Sequence, residues 1–542
     1  MFLSSDTHKQ SHFSRVPTIS RSRNAFSIAR SHKTTIQFDG LFPLYWKYIY
    51  PGDTLSISQS IMARLGTQNG TLYDDLYVDA HAWFVPFRLV QTNWARYQFN
   101  AQPAGPSQDN SSLTSPSIDL SGLASGFGAK STYDYLNFGD PSTNLSSSVA
   151  HINNYIPRAI NLTWNENYRD QNLQNPVTVD LDDGPDDPSD YDTILKRGKR
   201  HDKFTSCLTA QQKGTAINIP LGSSAPVVSD GSGPQFKADA SGPGSLRQYA
   251  SGTESGSLTL STNQVTDSFL TYGVDGTTTT GLRTDLTNAL AASLNSLRTN
   301  IAIQHLLEAD SRGGTRDVEA IKNRWGVTVP DFRLQRPEYL GGSTFTFDGH
   351  VVPQTSETNT TPQATLKQFS QSLSSFSINH SFVEHGVFFI LVSARSNLTY
   401  QQGLTRELSY QTRYDWFQPE FANLGEVGVK NKEIYFQGTA AAGDDDDDFG
   451  FQEYGYELRY GDNIVSSEMR SSFATSKDYL HMADDYSSLP TLGSAWIESQ
   501  TPISRNLVVA AGTADPIEIS SMVKGKIART LPMYSIPGLT RI

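Results

Sequence analysis

An all-β domain carrying long polar insertions is the fold class that this sequence predicts, on three observations. Short apolar runs, alternating or continuous, recur from about residue 40 to about 530 with connections of very unequal length between them. That is the pattern of one β domain with insertions rather than a row of domains. The chain is hydrophobic at 37% and charged at only 18%, while aromatics reach 11%. Ser, Thr, Asn, Gln and Gly fill the difference, which suits polar loops and extensive interfaces where Tyr and Trp bury a ring and keep a polar tip. Helical periodicity is confined to a few segments. At 542 residues the chain has several times the commonest domain length and enough apolar residues for a large core.

Residues 1–37 are basic and Ser-rich without clear periodicity, and read as an extended arm or a disordered tail. Strands follow. "LFPLYWKYIYPGDTLSISQSIMARL" places a Pro-Gly-Asp turn between apolar runs, and "LYVDAHAWFVPF" alternates, with Leu76, Val78, Ala80, Ala82 and Phe84 on one face of a half-buried strand. Residues 101–150 are loop, interrupted by the short helical "STYDYLNF". In 151–175, Ile152, Tyr155, Ile156, Ile160 and Trp164 recur at helical spacing, predicting a broken helix with Pro157 near a kink or restart. Seven aspartates crowd residues 180–192, directly before the basic "LKRGKRHDK"; the two stretches either pair or stay solvated. Residues 214–284 are almost all small and polar, long for a structureless loop. The clearest helix is 285–310, with Leu286, Leu290, Leu294, Leu297 and Ile301 in one stripe and a second helix expected over "TRDVEAIKNRWG". Val387 to Val392 has the length of a buried strand, and "GDDDDDFG" at 443–450 reads as a solvated acidic loop.

The net charge of −12 argues against a nucleic-acid binder on average. Yet residues 1–37 carry Lys9, Arg15, Arg21, Arg23, Arg30 and Lys33 against the single Asp6, and such an arm can meet a polyanion. The lone Cys207 rules out an intrachain disulfide framework and a cysteine zinc site, and fits a reducing compartment. No apolar run is long enough to span a bilayer, and the start lacks the apolar core of a signal peptide. Catalytic signatures are missing: "VKGKIA" lacks the upstream Gly of a P-loop, the eleven histidines do not fall at ligand spacing, and no nucleophile elbow stands out. "DLDDG" begins like a calcium loop, but its fifth position is Gly184 and no Glu follows at the twelfth. Only a loose cation site at Asp180, Asp182 and Asp183 is left open, and no cofactor is expected.

Several stretches resemble one family together. They are "ARSHKTTIQFDGLFPLYWKYIYPGDTL", "YIPRAINLTWNENYRDQNLQNP", "LKRGKRHDKFTSCLTAQQKG", "EADSRGGTRDVEAIKNRWGVTVPDFRLQRPEYLGG", "QTRYDWFQPEFANLGE", "NKEIYFQG", "FGFQEYGYELRY", "DDYSSLPTL" and "LPMYSIPGL". In this order, over nearly the whole chain, they resemble the major capsid protein of gokushoviruses, single-stranded DNA phages of the Microviridae. Two departures stand out: Asn167-Tyr168 where the family has Trp-Phe, and "TAQQKG" without the family's proline pair.

The resemblance implies a structural protein and no enzyme: an eight-stranded antiparallel jelly roll with large insertions, assembled with copies of itself as a T=1 icosahedral shell around circular single-stranded DNA. It implies a basic arm over 1–37, one jelly-roll domain over 38–542, and a three-fold protrusion, for which 214–284 is the candidate. That insertion is a candidate for attachment to a bacterial surface receptor. Expected partners also include small basic DNA-binding, scaffolding and pilot proteins, with assembly in the host cytoplasm and residence in the virion. Candidate DNA contacts are Arg15, Arg21, Arg23, Arg30 and Lys33 in the arm and Lys196, Arg197, Lys199 and Arg200 in the basic cluster, with salt bridges between subunits as the competing role. Trp164, Tyr168 and Arg169, in the amide-rich "NLTWNENYRDQNLQNP", are candidates for a subunit interface or the inner surface, against an ordinary capped surface helix. The alternative reading of the whole chain is a β-sandwich carbohydrate-binding protein or glycosidase.

Overall fold

The computed structural model describes residues 22–99, 113–146, 148, 150–215, 217, 335–353, 366–438, 444–508 and 514–534, together with short pieces and one helix between 227 and 326. The chain divides into two compact units, one made of Met1–Gln211 with Gly326–Ile542 and the other of Gln212–Trp325.

Two antiparallel sheets build the larger unit. Its strands are β1 (Asn24–Ile36), β2 (Phe42–Ile49), β3 (Thr54–Leu65), β4 (Leu76–Pro86), β5 (Glu338–Thr346), β6 (Asp348–Pro353), β7 (Leu366–Ser381) and β8 (Gly386–Ser396). A small hairpin, β9 (Glu426–Lys430) with β10 (Asp448–Glu453), and the long β11 (Ile517–Arg529) complete them. One sheet has the order β1-β11-β3-β7-β6 and the other β2-β8-β4-β5. The sheets face each other, because both contribute to shared cores: Ile61, Ala63 and Ile519 of the first meet Leu44, Val78 and Val392 of the second, and Leu55, Ile57, Val523 and Ile527 meet Phe84, Phe388 and Ile390. The architecture is the antiparallel sandwich expected of a viral jelly roll, with five and four strands in its sheets.

β8 is buried along all eleven residues. Phe388, Ile390 and Val392 point into the sandwich, while Val387, Phe389 and Leu391 pack against the helix α2 introduced below. Covering both faces turns alternation into a continuous apolar run, and each such side chain is worth about 1.5–3 kcal/mol of burial. β4 departs from the half-buried expectation for the same reason. Its inner face is the predicted set, but Trp83 and Val85 on the other face are buried as well.

The short helix α1 (Thr132–Tyr135) starts at Ser131, whose hydroxyl accepts from Asp134 N, an N-cap that fits the predicted helical "STYDYLNF". Helix α2 (Tyr155–Thr163) continues into a wide turn over Trp164–Tyr168. Pro157 sits in its first turn, where no intrahelical N–H bond is needed, so it starts the helix rather than kinking it.

Two other expectations change. The arm expected over 1–37 ends earlier: Asn24–Ile36 is a strand paired with β11 along its whole length. Its inward positions include Arg30, His32 and Thr34, so hydrophobicity alone shows no period of two. β11 is hidden for a similar reason, since "VKGKIA" lies in its middle. Gly525 there allows close strand approach, because a Cβ would stand 2.1 Å from Ser56 O. The acidic 443–450 loop is not simply solvated: Asp445 is buried and accepts from Gln437 N and Gly438 N at 3.0 and 2.8 Å.

In the smaller unit, three-residue strands pair 227–229 with 282–284 and 235–237 with 243–245. Helix α3 runs Leu294–Arg312 and leaves Ile301, Ile303 and Leu306 exposed. Leu286 and Leu290 of the predicted stripe, most of the second expected helix and most of 214–284 lie outside the described residues.

Candidate subunit and nucleic-acid surfaces

The amide-rich segment around α2 is an internal clasp. Ile156, Ala159, Ile160 and Trp164 bury one helix face against Val387, Phe389 and Leu391 of β8. The amides on its other side hold a neighbouring stretch of chain. Asn161 Nδ2 donates to Thr178 O (3.0 Å) and Asp190 O (3.1 Å), and Asn165 exchanges two bonds with the backbone of Val177 (2.8 and 2.9 Å). Trp164 Nε1 donates to Lys196 O at 2.7 Å. The Tyr168 hydroxyl accepts from Trp83 Nε1 at 2.9 Å and lies 2.8 Å from His81 Nδ1. Arg169 Nη1 donates to Gln174 O at 2.8 Å. Trp164, Tyr168 and Arg169 thus each have partners inside the chain. Buried backbone on both sides of the helix needs such partners.

The acidic stretch 180–192 is tied to the same helix. Arg158, fully buried, engages both carboxylate oxygens of Asp186, with Nε at 2.7 Å from Oδ2, and Nη1 donates to Val90 O and Asp182 O, each at 2.8 Å. Asp183 accepts from Gln91 Nε2 (2.6 Å) and Asn93 Nδ2 (2.9 Å), and the Asp180 carboxylate accepts from the Tyr191 hydroxyl (3.0 Å). Asp182 Oδ1 accepts from Gly184 N at 3.0 Å. The oxygens proposed for a loose cation site therefore already have hydrogen-bond donors. Among the described residues no group of three His, Cys, Asp or Glu is placed to hold a metal ion. The aspartates pair with Arg158 and side-chain amides, not with the basic stretch that follows them.

That basic stretch also turns inward. Arg197 Nη1 lies 2.5 Å from Asp79 Oδ2, and Arg395 Nη2 reaches the same oxygen at 2.9 Å, while Thr344 donates to Oδ1 at 2.7 Å. Burial alone would raise the Asp79 carboxyl; the Arg197 charge, the Thr344 bond and Arg395 overcome this and hold it at about 2. Burial, reinforced by Arg197, lowers His81 to about 4, so its ring is neutral at pH 7. Lys199, 5% exposed, donates to Asp484 Oδ2 (2.7 Å) and lies 4.6 Å from the Trp496 ring centre. Arg200 stacks on Tyr77, and Lys196 is exposed at 3.6 Å from Glu498. Arg197 and Lys199 thus each make an ion pair within the chain.

Arg15 and Arg21 lie outside the described residues. Arg23 Nη2 donates to Thr54 Oγ1 (2.6 Å) at the sheet end, Arg30 is turned inward over Tyr45 and Trp46, and Lys33 is exposed on the outward face of β1.

Sequence reading passed over the most conspicuous surface. Between residues 408 and 473 the chain exposes Leu408, Tyr414, Trp416, Leu424, Leu458 and Ile464 at 58–76%. Tyr410 and Trp416 meet edge to face (5.2 Å), Phe417 stacks on Tyr454 (5.7 Å), and Phe421 touches both Tyr414 and Tyr454. Such clustered, exposed aromatic area marks a protein–protein interface. The signal was "RYDWF" set among Pro, Asn and Gln, with no period of two or 3.6 to place those rings in a core.

Comparison with known proteins bears on what this surface serves. Residues 14–539 match the family model "Capsid protein (F protein)". The chain belongs to this phage capsid protein family. It is 40% identical to capsid protein VP1 of Bdellovibrio phage phiMH2K, over 93% of this chain and 92% of that one. It is 32% identical to VP1 of Chlamydia phage 1 over 98% of each chain, and 33% identical to VP1 of Spiroplasma virus 4 over 94% of each. The protein is a capsid subunit, a structural component of the virion rather than an enzyme, and capsid subunits assemble with copies of themselves. The alternative of a carbohydrate-binding protein or glycosidase is set aside on that finding. No helix among the described residues is long and apolar enough to cross a membrane.

Proposed function

We propose that this capsid protein forms a T=1 icosahedral shell around a circular single-stranded DNA genome, using the exposed aromatic surface of residues 408–473 as a contact between subunits. The observation that carries the subunit contact is that surface itself. The sandwich has a complete core without it, so these rings are not held out for want of packing space, and their burial needs another chain. Arg15, Arg21, Arg23, Lys33, Lys196 and Arg200 remain the DNA-contact candidates. The unit Gln212–Trp325, which contains the 214–284 insertion, is proposed as the protrusion and as the part that meets a bacterial surface receptor. Small basic DNA-binding, scaffolding and pilot proteins are the proposed helpers of assembly in the host cytoplasm.

The test is expression of the chain alone and with a candidate phage genome, followed by gradient sedimentation and imaging. Uniform icosahedral particles holding DNase-resistant single-stranded DNA are expected. A monodisperse small species under both conditions would overturn the shell reading.

A further inference from the structure

The two outer faces of the sandwich are unlike. The four-stranded sheet is covered by α2, which packs on β8. Among the described residues nothing covers the five-stranded sheet, whose outward positions on β1, β3, β7 and β11 alternate with buried ones. This open face carries Lys33, Arg64, Lys524 and Lys526 against Glu518 and, on β6 opposite Gln371, Asp348, on a chain whose net charge is −12. Lys33, Lys524 and Lys526 have no ion-pair partner among the described residues; Arg64 and Glu518 are 4.0 Å apart. Register sets the lysines among small side chains: Lys524 lies between Ala29 and Ser58, Lys526 between Ser27 and Ser56, and Lys33 beside Ser520. Serines continue outward across β3 and β7, where Ser60 opposes Ser375 and Ser58 opposes Ser377.

We infer that this face binds the sugar–phosphate backbone of single-stranded nucleic acid. The inference rests on the proposed DNA-enclosing shell and names the surface that would meet the packaged strand. Three features choose a nucleic acid over a protein. The charge is locally positive on an acidic molecule, which complements a polyanion. Short hydroxyl side chains let a polymer approach closely, and each donates to a phosphate oxygen. No aromatic side chain points outward from β1, β3, β11 or residues 371–381 of β7, so anchors of the kind that hold protein partners are missing there and collect on 408–473 instead. The apolar side chains exposed on this face are the non-aromatic Met62, Leu373 and Met522, of which Met522 lies two positions from Lys524. β1 begins at Asn24, opposite Arg529, at the end of the sheet that bears Lys526. Without aromatic platforms for bases, recognition is of phosphate alone and indifferent to sequence.

The test uses the full chain and a fluorescein-labelled single-stranded oligo(dT), with anisotropy read over a series of salt concentrations. Wild-type protein is compared with K524E/K526E and with K322E/K477E, which changes charge equally at exposed positions elsewhere. K524E/K526E is expected to weaken binding at least tenfold at low salt and to flatten log K against log[salt] by about 1.4, the loss of roughly two phosphate contacts on a single strand. The control pair should leave the slope unchanged, and an oligonucleotide of mixed sequence should bind as oligo(dT) does. Equal affinity and slope for wild type and K524E/K526E would overturn the inference. So would K524E/K526E protein that loses particle formation while keeping its oligonucleotide affinity, because the face would then be a contact between copies of this chain. Binding to the oligonucleotide is measured on free subunits, so failure of the wild type to form shells would count against the shell proposal and not against this one.

Discussion

At the scale of single residues, the ionisable groups between the four-stranded sheet and its covering segment make stability depend on acid. His81 faces Tyr168, Trp83 and Tyr339, with Asp79, Arg197 and Arg395 close by, and its folded-state value of about 4 lies below the ordinary 6.5. A histidine depressed in this way favours the native state above the unfolded value. As pH falls below 6.5, the unfolded chain binds a proton that the folded chain refuses, and stability drains until about pH 4, by about 3 kcal/mol. H81Q keeps a polar atom for the Tyr168 hydroxyl and removes the titration. Urea unfolding of H81Q from pH 7 to pH 4 should show a shallower loss than wild type; an identical loss would exclude His81 as the source. Asp79 acts in the next window down, since a carboxylate held at about 2 loses its contribution only as pH falls from the ordinary 3.8 through 2. Arg158 has a sharper role. R158A leaves Asp186 buried without its cation, which should cost about 3–5 kcal/mol. R158M/D186L removes both charges and should recover most of that in the same unfolding measurement. A double variant as damaged as R158A would mean that the bonds from Arg158 to Val90 O and Asp182 O matter more than the ion pair.

At the scale of elements, what the sequence disclosed follows from how each strand is covered. β8 was legible because both its faces are apolar, and β4 because its inner face alternates; F389A, which opens a hole between β8 and α2, should cost about 3–5 kcal/mol in urea unfolding, and a loss below about 1 kcal/mol would mean that α2 collapses onto the sheet. β1 and β11 were illegible because their inward positions include Arg30, His32, Thr34, Ser521 and Gly525, which break the apolar period that a strand reading needs. The basic cluster was legible as a cluster but not in its use. Arg197 finds Asp79 118 positions away, and Lys199 finds Asp484 285 positions away, and no local pattern carries such partners. In "NLTWNENYRDQNLQNP" the amides serve backbone 12 to 29 positions further along, which no local pattern carries either.

At the scale of the whole molecule, the surfaces separate by chemistry. The open face of the five-stranded sheet is hydroxylated and basic, while residues 408–473 gather rings and aliphatic side chains in the open. An assembling subunit needs such a division, because contacts between copies are anchored by desolvated aromatic side chains whereas a polyanion is held by charge. Trp416 is the natural place to test the assembly half. It is 60% exposed and meets Tyr410 within its own chain, so W416D should change folding stability by no more than about 0.5 kcal/mol, the usual effect at an exposed position. In a shell the same charge would be forced into a desolvated contact repeated at every symmetry-related position, so its cost multiplies with the number of subunits. The expected outcome is a soluble W416D protein with an unchanged thermal midpoint that sediments as a small species under conditions where wild type gives particles. Wild-type particle yield from W416D would remove Trp416 from the interface and direct attention to the exposed Leu458 and Ile464 instead. A lowered midpoint would show that the tryptophan stabilises its own loop, and W416F, which retains ring area for both roles, would then separate them by restoring folding with or without assembly.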